Sequence, residues 1–313
     1  MFKNIFLFVL IFTSLAVNAA SVDSWLDKMG QSMKQQSYKG TLIIRQGDEL
    51  QAIKVTQGIN GTESWQTMES QTGENHIIFR KNAEVTTIYP AKKLVTISAA
   101  MDSKPVKGVL HSLPKNKDKL KQLYLFELGN EERVANKITQ VIRMTPRDKY
   151  RYGYTFWLDK DSGLLLKCDL KDNKGKVLEQ FMYSDIELLS SAPKNNIEAA
   201  TLATFKKVTL SNKTDVDAER WHAKNIPNGF VLIRSVKTAQ QPPTYHMVFS
   251  DGMASVSVFI ESTNENQKKY IGQSNMGLVN VYSAFIDNQY ITAIGEVPAP
   301  TVRMIAQSVH AAH

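Results

Sequence analysis

The chain has 313 residues, of which 42% are hydrophobic and 22% charged, and its formal net charge is +8. That length admits two domains or one large one, and that composition excludes wholesale disorder. The positive charge is spread along the chain and marks no nucleic-acid module, while a lone cysteine excludes an internal disulfide.

Lys3, the apolar run Ile5 to Val17 and the small residues up to Ala20 predict a cleavable export signal over 1–20. The run is too short to span a bilayer comfortably. Ser21 then caps a predicted helix whose apolar residues are Val22, Trp25, Leu26, Met29 and Met33. Short strands follow at Thr41–Arg45, Leu50–Thr56, Ser64–Met68, His76–Arg80, Glu84–Tyr89 and Leu94–Ser98, separated by glycine- and asparagine-rich turns. So many short strands at regular spacing predict one large curled antiparallel sheet or an open barrel.

Residues 99–121 interrupt the pattern with Lys104, Lys107, Lys115, Lys117, Lys119 and Lys121 among Pro105, Gly108 and Pro114. The segment reads either as a solvated basic loop or as a contact for phosphate or an acidic partner. Strands resume at Tyr124–Leu128 and Lys137–Met144. A three-stranded meander then runs from Asp148 to Leu188, with turns at Asp159–Gly163 and Lys171–Gly175. Cys168 lies in its middle strand among leucines and reads as a buried small hydrophobe.

The Ser/Pro/Asn cluster Ser190–Asn196 predicts a boundary, giving a first domain over 21–190, a linker over 191–218 and a second domain over 219–313. A short helix is expected within Ile197–Lys206. The second domain is predicted as strands Phe230–Lys237, Tyr245–Ser250, Ala254–Glu261, Leu278–Ala284 and Tyr290–Ile294. A final helix after Pro298 carries Val302, Ile305, Ala306 and Val309. The fold class is thus mainly β (α+β): an antiparallel open barrel with helices, and a smaller antiparallel sheet with one helix.

No reactive constellation emerges. There is no G-x-S-x-G elbow, and Gly272–Gly277 reads as a loop. The six histidines are scattered, with no zinc spacing. Asp159 and Asp161 imitate a calcium loop, but Leu170 stands where its bidentate glutamate is required. No cofactor, metal or nucleic acid is expected, which leaves a binding surface. Leu42, Ile44, Ile53, Val55, Trp65, Ile77 and Phe79 could line a concave lipid pocket, although ordinary core beneath the helices is the simpler reading of the same residues. Each buried methylene of an acyl chain contributes roughly 0.8 kcal/mol. Lysines such as Lys115, Lys117 and Lys119 would mainly orient an anionic headgroup or meet a partner, each exposed pairing contributing about 1 kcal/mol or less.

The stretches Asp148–Tyr154, Trp157–Leu164 and Gly175–Gln180 closely resemble the RseB/MucB family of periplasmic regulators of the extracytoplasmic-stress sigma factor, sigma-E. Ile226–Phe230, Ser250–Phe259, Asn280–Tyr282 and Gly295–Val302 agree with it in order, so the resemblance is collinear over the mature chain. It implies a non-enzymatic periplasmic protein with a domain similar to the lipoprotein carriers LolA and LolB. It further implies binding to the periplasmic part of a membrane anti-sigma factor of the RseA/MucA kind, which the regulator shields from proteolysis. Lipopolysaccharide or lipoprotein acyl groups are the implied releasing ligands. A periplasmic lipid or lipoprotein carrier of the LolA type is the alternative, and self-association is left open.

Overall fold

The computed structural model describes residues 21–82, 84–99, 117–194, 197, 203–210, 221–238, 243–262 and 269–311. The expected export signal, the basic stretch up to and including Lys115, and half of the expected helix in Ile197–Lys206 lie outside these residues.

Helix α1 (Val22–Gln35) starts where Ser21 accepts a hydrogen bond from the Ser24 backbone, satisfying one of the helix's free N–H groups. It leads into β1 (Ser37–Gln46), β2 (Glu49–Asn60), β3 (Glu63–Ser70), β4 (Ile77–Lys81), β5 (Glu84–Tyr89) and β6 (Leu94–Ala99), each antiparallel to the one before. Helix α2 (Lys117–Leu123) precedes β7 (Tyr124–Val134), β8 (Lys137–Pro146), β9 (Gly153–Asp159), β10 (Leu165–Lys171) and β11 (Val177–Leu189). β11 returns to pair with β1, so two runs of strands fuse into one sheet. The sheet stays open, with β7 at one edge. The other edge is β12 (Lys206–Leu210), which runs parallel to β6. Lys206–Leu210 was expected within a linker. Its backbone instead completes the β6 edge, a role that needs no apolar alternation and so leaves little pattern to read.

One face of this sheet carries a single core. Trp25, Leu26 and Met29 of α1 and Leu120 and Leu123 of α2 pack with Leu42, Ile44, Val55, Met68, Phe156 and Tyr183. The meander strand β9 is buried on both faces. On its outer side Trp157 is covered by Lys167, whose Nζ lies 3.9 Å from the ring centroid, and by Glu132, which accepts the indole N–H at 2.8 Å. In the expected turn, the Asp159 carboxylate accepts from the Ser162 backbone and hydroxyl, and Gly163 takes φ +78°.

The second sheet contains β14 (Val231–Lys237), β15 (Thr244–Ser250), β16 (Ser255–Ser262), β17 (Gly272–Met276), β18 (Val279–Ile286) and β19 (Gln289–Gly295), in the order β14-β15-β16-β19-β18-β17. Helix α3 (Ala299–Ser308) lays Val302, Ile305 and Ala306 on Met247, Val258 and Ala293. Two local expectations change. Gly272–Met276, read as a loop, is the edge strand β17, held to β18 through its backbone while Ser274 and Asn275 stay in solvent. Val309 leaves the helix to open β20 (Val309–Ala311), which pairs with β13 (Trp221–Ala223). As a β-branched residue, Val309 suits an extended backbone.

Candidate functional site

Strand register divides the seven predicted lining residues between opposite faces. Leu42 lies opposite Ile53, Val55 opposite Met68, and Met68 opposite Ile78, so one face runs through Leu42, Ile53, Val55, Met68 and Ile78, with Ile44 two residues from Leu42 on the same side. Trp65, Ile77 and Phe79 alternate with Met68 and Ile78 and fall on the other face. There Trp65 lies across Gly58, where a Cβ would meet its Cε2 at 2.4 Å. Leu42, Ile44, Ile53 and Val55 are buried against α1, whereas the other three are half-buried. The seven therefore do not form one wall. Alternation places neighbouring residues on opposite sides but does not say which side each strand turns inward.

Of the predicted lysines, Lys115 lies outside the described residues. Lys117 and Lys119 belong to α2, and Lys117 is committed to Asp27 of α1. Lys121 pairs with Asp23 at 2.6 Å. The hydrogen bond from Lys121 holds the Asp23 carboxyl below its ordinary pKa. Lys117 and Lys121 thus fasten α2 to α1. Lys28 adds a bond to the Lys160 carbonyl at 2.6 Å.

The densest polar site lies where the two sheets meet, and its centre is Arg151, in the bend between β8 and β9. Its side chain is fully buried. One guanidinium nitrogen donates to Asp251 at 2.7 Å and another to the Asn228 carbonyl at 2.6 Å, while Nε faces Asp148 at 3.1 Å. The guanidinium lies 5.7 Å from the Tyr124 ring centroid and 5.6 Å from that of Phe230. Burial works against its charge, but Asp148 and Asp251 outweigh it and raise its pKa above the ordinary arginine value. Burial first, and the nearby Asp251 charge second, push the Tyr124 phenol well above its usual range.

The surrounding contacts extend the junction. Thr301 donates to the Tyr150 carbonyl at 2.7 Å, and Asn280 donates to the Tyr152 hydroxyl at 3.2 Å and to the Val297 carbonyl at 2.9 Å. Met253, from the second sheet, packs into the core of the first. Every stretch of the second sheet singled out by its sequence resemblance, namely Ile226–Phe230, Ser250–Phe259, Asn280–Tyr282 and Gly295–Val302, sends a residue here. Sequence reading quoted these residues but did not join them. The only local signal was an arginine three residues after an aspartate amid aromatics, and its partner lies 100 residues further on.

Two clefts open beside the junction and meet at Lys149. One, of about 600 Å³, lies against α3 and is lined by Tyr150, Pro300, Arg303, Met304 and His310. The other, of about 480 Å³, lies along the ends of β8 and β9 and is lined by Arg143, Arg147, Tyr154, Lys171 and Asp172.

Comparison with known proteins agrees with this two-sheet arrangement. Residues 21–201 match the MucB/RseB N-terminal domain and residues 215–310 the MucB/RseB C-terminal domain. The sigma factor AlgU regulatory protein MucB of Pseudomonas aeruginosa is 25% identical over 308 residues, covering 94% of this chain and 92% of that protein. The sigma-E factor regulatory protein RseB of Haemophilus influenzae is 24% identical over 313 residues, with 98% and 97% covered. The solved Pseudomonas aeruginosa MucA/MucB complex shares the fold with a TM-score of 0.75 at 24% identity, covering 94% of this chain and all of the matched one. The two domain matches together span nearly all the described residues, and the chain belongs to the MucB/RseB family.

Proposed function

We propose that this protein is a non-enzymatic periplasmic regulator that binds the periplasmic region of a membrane anti-sigma factor. By occupying that region it protects the anti-sigma factor from regulated proteolysis and so restrains the envelope-stress sigma factor. The observation that carries this reading is the presence of both family domains, in order, joined through the buried Arg151 junction. A carrier built on the large sheet alone would give residues 221–311 no role. Solved structures of relatives described as MucB with MucA support the class of partner.

Release by lipopolysaccharide or lipoprotein acyl groups fits the way α1 is held. Leu42, Ile44, Ile53 and Val55 form an apolar floor beneath Trp25, Leu26 and Met29, and acyl chains would enter by displacing that helix. The ion pairs that tie α1 to α2 are partly exposed, so their contribution is small and screened by salt. A phosphorylated headgroup could take Lys117 and Lys121 from α1 as the helix moves, with Lys119 beside them on α2.

The test is titration calorimetry of the mature chain with the periplasmic segment of the anti-sigma factor from the same organism. Association at or below micromolar concentration is expected, and micellar lipopolysaccharide should reverse it. No heat and no co-purification at tens of micromolar would overturn the reading. Transfer of a lipoprotein from membrane to acceptor would instead favour the LolA-type carrier.

A further inference from the structure

We propose that the two clefts meeting at Lys149 form one continuous basic track, and that it takes an extended acidic stretch of polypeptide. The track lies beside the buried junction, so a segment bound there would touch both domains at once.

Its charge is one-sided. Arg143, Arg147, Lys149, Lys171 and Arg303 line it, with His310 at one end. None of the five permanent cations forms an ion pair among the described residues: Arg147 donates to the Lys121 carbonyl, Lys149 lies over Tyr150, and Arg303 lies over Tyr282. The lining contains two carboxylates, and both are occupied. Asp148 accepts from the Tyr150 backbone and from Arg151, and Asp172 accepts from the backbones of Lys174 and Lys176. Asp172 keeps its negative charge and the Asp148–Arg151–Asp251 group carries one more, but five cations outnumber them, so the net field stays positive and favours an anionic occupant.

The neutral lining points to a peptide among anionic occupants. Asn225, Gln273 and Gln307 border one cleft and Asn173 the other, and a side-chain amide can both accept from a backbone N–H and donate to a carbonyl. Phosphate would use only the donors. Met304, Pro300 and Tyr154 supply apolar surface for side chains between the acids.

The identity of the peptide rests on the regulatory reading above, in which it belongs to the anti-sigma factor's periplasmic region. The experiment titrates that segment into the wild type, into Lys149→Glu/Arg303→Glu, and into a control of equal charge change placed elsewhere, Lys34→Glu/Arg45→Glu. At low salt the track variant should bind about tenfold or more weakly than the wild type and show a flatter dependence of affinity on salt, with the control within about twofold. Lys149→Gln/Arg303→Gln, with an unchanged near-ultraviolet spectrum, should fall between them and guards against misfolding. A track variant that binds like the control overturns the track alone. Failure of the wild type to bind the segment overturns both readings. The peptide assignment is also overturned if the track variant keeps the segment but loses the wild type's binding to phosphatidylglycerol vesicles.

Discussion

Arg151 and Asp251 meet at 2.7 Å with neither side chain exposed to solvent, although they come from connections in different sheets, β8 to β9 and β15 to β16. A buried pair needs further hydrogen bonds to offset the loss of water, and both residues have them. Arg151 also binds Asp148 and the Asn228 carbonyl, while the other oxygen of Asp251 accepts from the Met253 and Ala254 backbones. Such a network fixes one relative placement of the domains more than it adds net stability.

Removing one partner should therefore cost more than the pair contributes. Arg151→Met leaves Asp251 buried without a counter-charge and should destabilise the fold by about 3–5 kcal/mol. Asp251→Asn should cost less, because the asparagine oxygen can still accept the two backbone bonds and Asp148 still faces Arg151. Urea titration of the two variants checks the order. Equal losses, or none, would show that the charge network does not hold the junction.

Gly229 sits beside the same junction with φ +87°, and a Cβ there would meet Leu123 Cδ1 at 2.7 Å. Gly229→Ala combines a left-handed backbone with a clash and should cost about 1–3 kcal/mol. Adding Leu123→Ala should relieve only the clash, not restore wild-type stability, since the backbone strain stays and a buried leucine is lost. Thermal melts of the single and double variants separate the two effects.

His246 stacks on Phe259 with centroids 4.4 Å apart and 7° between the rings, and its buried Nε2 has no hydrogen-bond partner among the described residues. Burial, and then the charge of Arg234, lower its pKa below the ordinary 6.5. As pH falls below that value the unfolded chain takes up the proton before the folded one, so stability declines until the folded-state pKa is reached. Above the ordinary value the imidazole is neutral in both states and contributes no slope. His246→Phe keeps the stack and should flatten this part of the stability–pH curve, measured by urea midpoints between about pH 7 and 5. An unchanged slope would assign it to other groups.

Cys168 is buried in β10, and desolvation pushes its thiol well above the usual range. The thiolate is the reactive form, so native protein should resist iodoacetamide at neutral pH and label fully in denaturant. Labelling at the rate of a free thiol in the native state would contradict the packing of the meander.

Much of the fold was legible because it is local. The meander strand at Gly153–Asp159, the Asp159–Gly163 turn and the Ser21 cap each depend on residues within a few positions of one another. Strands without alternation were harder to read: Gly272–Met276 and Lys206–Leu210 are held by backbone bonds at sheet edges, and backbone bonds leave little imprint on side-chain choice. The predicted pocket divided for a related reason. Trp65 and Met68 are both apolar and three residues apart in one strand, so they must face opposite ways, and apolarity alone does not report which way is inward.

By itself the sequence determined most of the extended stretches and tight turns, and which stretches resemble the MucB/RseB family. Only the tertiary structure decided that β11 closes onto β1, some 140 residues away, and that those family-like stretches converge on Arg151. The physical reason is that periodicity records a residue's average exposure, whereas a buried charge is defined by partners that distant parts of the chain bring to it. Asp148 is three residues from Arg151 and visible in the sequence, but Asp251 and the Asn228 carbonyl reach it only once both sheets have formed.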